Sequence, residues 1–371
     1  MLGFYPRKIA NIYFYLNTTG SIFTMKKILL AGVAAFFAVS SAQAQNVTLT
    51  SAAASVGGTT DVSARFLAEI AAANKIATIQ VQVGQVLTKT MVQVAEGKTD
   101  ISAAFFLGNF LMSRSLGPFS GLGKKRGKEL AGNMRLLFPY HLAHFVLVAY
   151  QSTGIDSYDK LKGKTVHNGP PRGGAYITAK AVIRLSAGLA EGKGYNGKQI
   201  AWGQANSIFL DRTVDAAVRP ATNPASWMPI YMSAGKINMV SVPKKPFEGK
   251  AWKKYYSAPG NVPIVFPVAD LAHYGDKVRI ISEDNMFRSV ANAGGTMVNK
   301  SMNKKLAKAL TAAFIKNLPD LYRKTAFART SQFGNIKTEN FNFCKAGIKF
   351  HPGAMEAWQE AGHTVPECTK P

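Results

Sequence analysis

The loop at residues 168–174 combines residue types that can bind an anion. It lies between a predicted strand at 165–167 and a predicted helix at 175–187, so the first free N–H groups of that helix point out of the loop. Such N–H groups bind a carboxylate or phosphate, and Arg172 could add a bidentate contact. The loop is neither a Walker loop nor a dinucleotide fingerprint, since no Gly-Lys-Ser/Thr follows and Pro170 and Pro171 replace flexible glycines. An ordinary strand-to-helix turn with a solvated arginine is the alternative.

Two other charged residues could contact a ligand. Arg219 follows a predicted strand at residues 215–218, and open α/β sheets bind ligands at the carboxyl ends of their strands. It is therefore a candidate carboxylate clamp, with Asn223 in the same loop, or else a surface arginine. Asp61, in the first turn of a predicted helix, could accept a ligand ammonium group or simply complement the helix dipole.

The sequence has no recognisable catalytic or metal-binding constellation. Ser157 and Lys160 form a Ser-x-x-Lys pattern, but its partner motifs are missing and a helix cap explains it better. His141 and His144 lie three apart in an extended segment, where side chains at odd separation face opposite ways, so we expect no shared metal. The sequence therefore predicts neither cofactor nor metal. A secreted hydrolase or transferase is the enzyme alternative.

Residues 25–45 have the pattern of a secretory signal peptide. Lys26 and Lys27 precede an apolar stretch at 28–39, and small residues follow up to Ala44. The apolar stretch is too short to span a bilayer as a stable helix. We expect cleavage after Ala44 and a periplasmic product. Residues 1–24 are expected to be an upstream extension from a misassigned start.

The predicted mature chain is long and strongly basic. It has 327 residues and a net charge of +21, against +25 for the whole chain. Its length predicts two lobes or domains. Its charge favours an acidic small molecule, an anionic membrane face or nucleic acid as partner. No zinc-finger or RNA-recognition signature accompanies the charge, so we expect no nucleic-acid partner.

Cysteine use agrees with export. Cys344 and Cys368 are the only cysteines. An even pair in an oxidising compartment predicts one disulfide, with two unpaired thiols as the alternative.

Strand-like and helix-like segments alternate along the chain, which predicts an α/β protein. The predicted strands are at residues 47–50, 79–83, 100–106, 145–150, 165–167, 199–202, 215–218 and 291–298. One predicted helix follows Gly58, and three others lie at 88–96, 175–187 and 207–212. A further, long helix is predicted from a buried stripe that includes Leu306, Leu310, Ala313 and Phe314. Residues 243–267 are expected to be irregular.

Several motifs occur in an order that resembles one family. They are Gly57-Gly58-Thr59, Ala95 to Asp100, Gly154 to Ser157, Leu161 to Lys164, Gly169 to Gly174, and His351 to Ala354. Together they resemble TAXI proteins, the extracytoplasmic solute receptors of tripartite TRAP transporters, over residues 45–362. The resemblance implies a two-lobed periplasmic-binding-protein fold, type II-like, with a ligand cleft between the lobes. It also implies delivery of a small organic anion (a dicarboxylate, keto acid or acidic amino acid) to a TRAP-type membrane permease, whose subunits would be the chain's only link to the membrane. A periplasmic ligand sensor with the same fold is the alternative.

The resemblance also implies the lobes and the site. Residues 45–149 would form lobe one, 150–285 lobe two, and 286–371 would return to lobe one, where the disulfide fastens the tail. The implied ligand-binding residues are Gly58, Thr59, Thr60, Asp61, Gly84 and Gln85 from lobe one, and Arg172, Gly173, Gly174, Arg219 and Asn223 from lobe two.

Overall fold

The computed structural model describes residues 47–337 and 341–371. The predicted signal peptide, its cleavage site after Ala44 and the upstream extension lie outside the described residues. Within the described ranges, no helix combines the length and the apolar character that crossing a membrane requires.

The described residues form eleven strands and twelve α-helices, which confirms the α/β class. The strands are β1 (Thr48–Ala52), β2 (Thr78–Gln82), β3 (Ile101–Phe105), β4 (Met134–Tyr150), β5 (Thr165–His167), β6 (Asn196–Lys198), β7 (Ala216–Ala221), β8 (Ile237–Val240), β9 (Asn261–Pro267), β10 (Val278–Ile281) and β11 (Met286–Asn299). The helices are α1 (Thr59–Ala73), α2 (Leu87–Ala95), α3 (Phe106–Ser113), α4 (Lys124–Asn133), α5 (Gly174–Ala187), α6 (Ala205–Leu210), α7 (Met228–Ser233), α8 (Lys244–Phe247), α9 (Lys250–Tyr256), α10 (Lys304–Lys324), α11 (Phe343–Ala346) and α12 (Pro352–Glu360).

The strands of the described residues make one sheet with the main order β2-β1-β3-β11-β4-β7-β5-β6. The strands β1, β2 and β3 are parallel to one another, as are β5, β6 and β7. The long strands β4 and β11 are antiparallel to each other and have 17 and 14 residues. β4 pairs with β11 along its first part and with β7 and β8 along its second. These two strands therefore connect the two halves of the sheet.

The hydrophobic core divides along β4 and β11. One core takes its buried residues from 49–140 and 293–365. Two others take theirs from 145–290. Along β4, Leu147 belongs to one of these two cores and Val146 and Val148 to the other, as the alternation of a strand buried on both faces requires. The fold is two-lobed, in agreement with the fold class predicted from the sequence. The lobe boundaries at 149/150 and 285/286 stay predictions.

The structure corrects the predicted end of β7. This strand continues through Arg219 and Pro220 to Ala221, whereas the sequence placed its end at Val218. Pro220 is tolerated because β5 pairs with β7 only at Ala216 and Ala217, so one edge of β7 is unpaired at the proline.

Two other local predictions are wrong. Residues 199–202 do not form a strand, since β6 ends at Lys198 and Trp202 opens a 3-10 turn. The stretch 243–267 contains α8, α9 and β9. Its regularity comes from tertiary packing, because Trp252 is fully buried against Phe247 and Tyr256 while the lysines between them stay outside.

The predicted disulfide is confirmed. Cys344 in α11 is bonded to Cys368, which lies in a 3-10 turn at Glu367–Thr369. The bond fastens the C-terminal end of the chain to α11.

Candidate functional site

Two helices begin at the wall of one cavity. The helix α1 follows Gly58 and α5 follows Gly173, and neither N-cap residue supplies a side-chain hydrogen bond. Both helix starts line a cavity of about 80 Å³. The first N–H groups of a helix have no acceptor within the helix, and the helix dipole makes this end positive. The cavity is therefore suited to a small anion.

Glycine at the start of α5 permits a close approach between the lobes. A Cβ atom at Gly174 would lie 2.8 Å from the ring of Phe105, which ends β3 in the other half of the sheet. Any larger residue would push α5 away from Phe105. Packing against Phe105 thus favours glycine at this position.

The remaining walls are mostly apolar and aromatic. They include Val86, Leu87, Phe105, Leu142, Phe145, Pro170, Trp202, Pro220 and Trp227. Polar wall residues are Ser55, Thr59, Thr60, Thr222, Ser226 and Asn292. None of the described residues that line this cavity carries a charged side chain. The positive potential at this wall thus comes from backbone N–H groups at the two helix starts and not from a lysine or arginine side chain in the lining.

The threonine hydroxyls of α1 hold the walls together. Thr59 donates from its hydroxyl to the carbonyl of Leu142, and Thr60 Oγ1 accepts the N–H of Ala54 at 3.0 Å. Thr59 and Thr60 are both buried. These contacts fix the start of α1 relative to β4 and to the loop after β1.

Five of the predicted ligand-binding residues line the cavity and six do not. Gly58, Thr59, Thr60, Gly173 and Gly174 are part of its wall. Asp61, Gly84, Gln85, Arg172, Arg219 and Asn223 are not.

Asp61 stabilises the loop before α1. Its carboxylate accepts the N–H of Gly57 at 2.8 Å and the Nε–H of Arg65 at 2.7 Å, and the side chain is buried. Both carboxylate oxygens are thus occupied by the protein itself.

Gly84, Gln85 and Arg172 also support the cavity from outside. The N–H groups of Gly84 and Gln85 donate to the carbonyls of Ala54 and Ala53, which positions the loop after β1. Arg172 is exposed, and its carbonyl accepts the hydroxyl of Thr88 at 3.0 Å. Their contributions in the structure come from backbone groups.

Arg219 lies behind an aromatic wall residue. Its side chain is only 3% exposed, and its Cζ atom lies 4.4 Å from the ring centroid of Trp227. It donates to Asn206 Oδ1 at 3.0 Å and to the Tyr231 hydroxyl, while its Nε has no partner among the described residues. Burial lowers the pKa of the Arg219 guanidinium from its ordinary value. Among the described residues no acidic side chain pairs with Arg219, and the Trp227 ring over which its guanidinium lies is part of the cavity wall.

A second cavity of about 230 Å³ adjoins the first and shares Ala143, Ala221 and Thr222 with it. Its other lining residues are His141, His144, Asn223, Ile264, Phe266, Asp270, Ala291, Thr330 and Ser331. The predicted residue Asn223 thus belongs to this cavity and not to the first.

The expectation that His141 and His144 face opposite ways is wrong. His141 is opposite Ala293 and His144 is opposite Ala291, so an extra residue, Leu142, is inserted in β4 between the two pairs. This β-bulge restores both imidazoles to one face of the sheet. Among the residues described, no three His, Cys, Asp or Glu side chains are grouped to hold a metal ion.

Sequence reasoning did not find Phe105, Trp202 or Trp227 as wall residues. Each is an aromatic residue in or beside a regular element, and such residues more often belong to a core. No local pattern distinguishes the two cases, because the wall forms only when β3, β7 and the loop after β6 meet.

A family model described as the NMT1-like family matches residues 51–362. No curated protein matches the chain. The chain is similar, at 12% identity and a TM-score of 0.43, to a Bordetella pertussis extracytoplasmic solute receptor that binds pyroglutamic acid, over 85% of this chain and 93% of that one. It is also similar to a TRAP periplasmic solute binding protein of Ralstonia eutropha with bound (S)-2-acetolactate, at 14% identity and a TM-score of 0.44, over 85% and 91% of the two chains. The ectoine-binding protein of the Halomonas elongata TeaABC TRAP transporter is similar at 11% identity and a TM-score of 0.42, over 84% and 90%.

Proposed function

The chain belongs to the NMT1-like family, and we propose that it is an extracytoplasmic receptor that binds one small organic carboxylate between α1 and α5. The observation that carries this proposal is that two helices from different halves of the sheet begin, uncapped, at one cavity. A carboxylate there would accept N–H groups from both helices and would lie at the positive ends of both dipoles.

The walls suit the rest of such a ligand. Apolar and aromatic side chains would pack against its carbon skeleton, and their low polarity would strengthen its hydrogen bonds with the helix ends. Arg219 would act through Trp227, since its positive charge favours an anion on the other side of the ring. In this proposal Arg172 is not a direct ligand contact, because it is exposed and does not line the cavity.

Delivery of the ligand to a TRAP-type permease belongs to the same proposal. It is supported by the signal-peptide pattern at residues 25–45 and by the ordered motifs that resemble TAXI proteins. A carboxylate receptor of this kind would act in the periplasm and would release its ligand unchanged.

A charge placed at the helix ends tests the proposal. Ser55 lines the cavity just before α1, and its carbonyl accepts the N–H of Gly58 at 3.3 Å. Ser55→Asp adds a negative charge beside the proposed carboxylate, whereas Ser55→Asn adds an uncharged side chain of the same shape. A like charge in contact costs several kcal/mol, so the Asp variant should bind at least about ten-fold more weakly than the Asn variant.

The measurement is calorimetry with the best carboxylate from a thermal-shift screen of organic acids, since a ligand of the folded state raises its melting temperature. The acid at residue 55 would lie near the positive end of the α1 dipole, and the melting temperatures of the two variants without ligand show whether the fold itself has changed. Equal affinity in the two variants, or a screen in which no carboxylate binds, would contradict the proposal.

A further inference from the structure

A carboxylate that is not among the described cavity-lining residues binds both ends of the loop that leads into α5. Glu191 Oε1 accepts an N–H of Asn168 Nδ2 at 3.0 Å, and Glu191 Oε2 accepts the hydroxyl of Tyr176 at 2.5 Å. Asn168 precedes and Tyr176 follows the segment at residues 170–175. This segment contributes to the cavity wall Pro170, Gly173, Gly174 and Ala175. Glu191 therefore joins the two ends of a wall segment from outside the wall.

Four polar groups surround this carboxylate, two at each oxygen. Besides Asn168 and Tyr176, Gln199 Nε2 donates to Oε1 at 2.6 Å, and Lys180 Nζ lies 3.4 Å from Oε2. Burial raises the pKa of Glu191, but the hydrogen bonds from Tyr176 and Asn168 and the charge of Lys180 outweigh this effect and lower the pKa below its ordinary value. The group is therefore a carboxylate at neutral pH, and its oxygens are used by the protein itself.

The strand β6 leaves room for this carboxylate. A Cβ atom at Gly197 would collide with Glu191 Oε1 and would lie 2.8 Å from Asn168 Nδ2. Any larger residue at 197 would thus displace the carboxylate from Asn168. The backbone of Gly197 does not have a positive φ, so its conformation is open to other residues. The space that the Glu191–Asn168 contact needs thus explains the glycine.

The two ends of the loop lie close together where Glu191 meets them. Gly169 has φ +98°, and a Cβ atom there would lie 3.1 Å from the backbone N of Tyr176. Asn168 is fully buried, and its backbone N–H donates to the carbonyl of Lys198 at 3.3 Å. Loss of the carboxylate would weaken the hydrogen bonding of a buried amide and would release Tyr176 in the first turn of α5. The helix start would then no longer be fixed relative to the loop.

We propose that Glu191 is a positioning residue for the ligand, because it holds residues 170–175 in the conformation that presents the first N–H groups of α5 to the cavity. This inference rests on the proposed function, from which it takes the bound carboxylate at the start of α5. The negative charge of Glu191 would by itself repel an anion. Its contribution to binding is therefore geometric, since hydrogen bonds weaken steeply when donor and acceptor are misaligned.

Three variants separate geometry from charge. Glu191→Gln keeps the shape of the side chain, and its amide oxygen can accept Asn168 and Gln199 while its amide nitrogen donates to the Tyr176 hydroxyl. Glu191→Ala removes the group, and Gly197→Ala displaces it while keeping its charge. In calorimetry with the best carboxylate from the screen, Glu191→Gln should bind within about three-fold of the unaltered protein. Both alanine variants should bind at least about ten-fold more weakly.

A control distinguishes positioning from general stability. The double variant Cys344→Ser/Cys368→Ser should lower the melting temperature without changing the affinity, because neither cysteine lines the cavity. A merely structural Glu191 would make Glu191→Ala behave like this control, and that result would overturn the inference. Binding by Glu191→Gln as weak as that by Glu191→Ala would also overturn it, since the charge would then be what matters. If Glu191→Ala does not fold, the same comparison is made with Gly197→Ala.

Ser55→Asp separates this inference from the function on which it depends. If a carboxylate binds and Ser55→Asp weakens it relative to Ser55→Asn, the proposed function stands. Unchanged affinity in Glu191→Ala would then overturn the inference alone. If no carboxylate binds, or if both Ser55 variants bind it equally, the proposed function and the inference fail together.

Discussion

At the scale of single residues, Arg219 is a buried charge that contacts the cavity-lining Trp227 without lining the cavity itself. The guanidinium is buried and pairs with no acidic residue among those described. Its compensation comes from the ring of Trp227 and from the polar groups of Tyr231 and Asn206. A buried cation with so little compensation is costly to the folded protein. That cost makes sense if a bound anion offsets it from the other side of Trp227.

We therefore expect Arg219→Met to separate stability from binding. Replacement of a buried charge that has no acidic partner by an apolar side chain of similar length should leave the free energy of unfolding unchanged or raise it by up to about 2 kcal/mol. If the guanidinium and the bound carboxylate are ~8 Å apart and the effective dielectric constant is ~20, their attraction is about 2 kcal/mol. Loss of this attraction should lower the affinity for the anion at least about ten-fold. Thermal unfolding and calorimetry on the same samples measure both effects.

The control for this variant is Arg219→Lys, which keeps the charge and loses the planar stacking. It should retain most of the affinity while losing stability, because an ammonium group cannot reproduce the hydrogen bonds of the guanidinium fork. If Arg219→Met bound the anion as tightly as the unaltered protein, Arg219 would have only a structural role.

At the scale of elements, the C-terminal segment, which runs from α11 to the end of the chain, is packed independently of the cavity. The imidazole of His351 caps α12 by accepting the N–H of Gly353 at 3.2 Å, and Trp358 Nε1 donates to the carbonyl of Leu137 in β4 at 2.9 Å. Phe350 is fully buried and forms a bridge with Leu136. No residue of this segment lines either cavity. The disulfide therefore acts on the stability of this segment and not on the site.

Reduction of the Cys344–Cys368 bond should destabilise the protein without changing its affinity for ligand. The bond closes a loop with a sequence separation of 24 residues. In the chain-entropy model a loop of this size is worth about 3.5 kcal/mol. We expect a lower melting temperature in reductant and an unchanged dissociation constant.

A double variant with serine at both cysteines is the matched control, since its melting temperature should be low and should not respond to reductant. Free thiols that react with an alkylating agent in unreduced protein would contradict the assignment.

At the scale of the whole molecule, the two halves also approach each other closely between the loop before α1 and the segment before α7. Gly57 has φ +70°, and a Cβ atom there would lie 2.7 Å from Cβ of Ser226. The Ser226 hydroxyl donates to the carbonyl of Val56 at 3.3 Å. The loop before α1 and the segment before α7 therefore approach each other only because residue 57 has no side chain.

Gly57→Ala should hold the two halves apart and weaken ligand binding at least about ten-fold, since hydrogen bonds from both helix starts require close approach. The added Cβ also costs about 1 kcal/mol of stability from its positive φ. Adding Ser226→Gly removes the opposing Cβ and should restore the affinity to within about three-fold while leaving the backbone cost in place. Calorimetry and thermal unfolding of the single and double variants measure the two quantities. Equal binding by the two variants would show that this contact does not control closure.

The sequence by itself determined the features that depend on local chemistry. The alternation of strand-like and helix-like segments predicted the α/β class. An even pair of cysteines in a chain with an export pattern predicted the disulfide. The start of α5 at Gly174 was predictable, because a glycine-rich loop between a strand and a helix exposes backbone N–H groups wherever it occurs.

Only the tertiary structure decided which residues surround the cavity. The burial of Arg219 depends on Trp227 and on the extension of β7 past Pro220, and neither is visible in a local pattern. The shared face of His141 and His144 depends on one extra residue in β4, which is defined only by pairing with β11. A bulge, a covered charge and a wall between two lobes are all properties of contacts between distant segments. Local sequence fixes the conformation of each segment, but such contacts are fixed only when the two halves pack together.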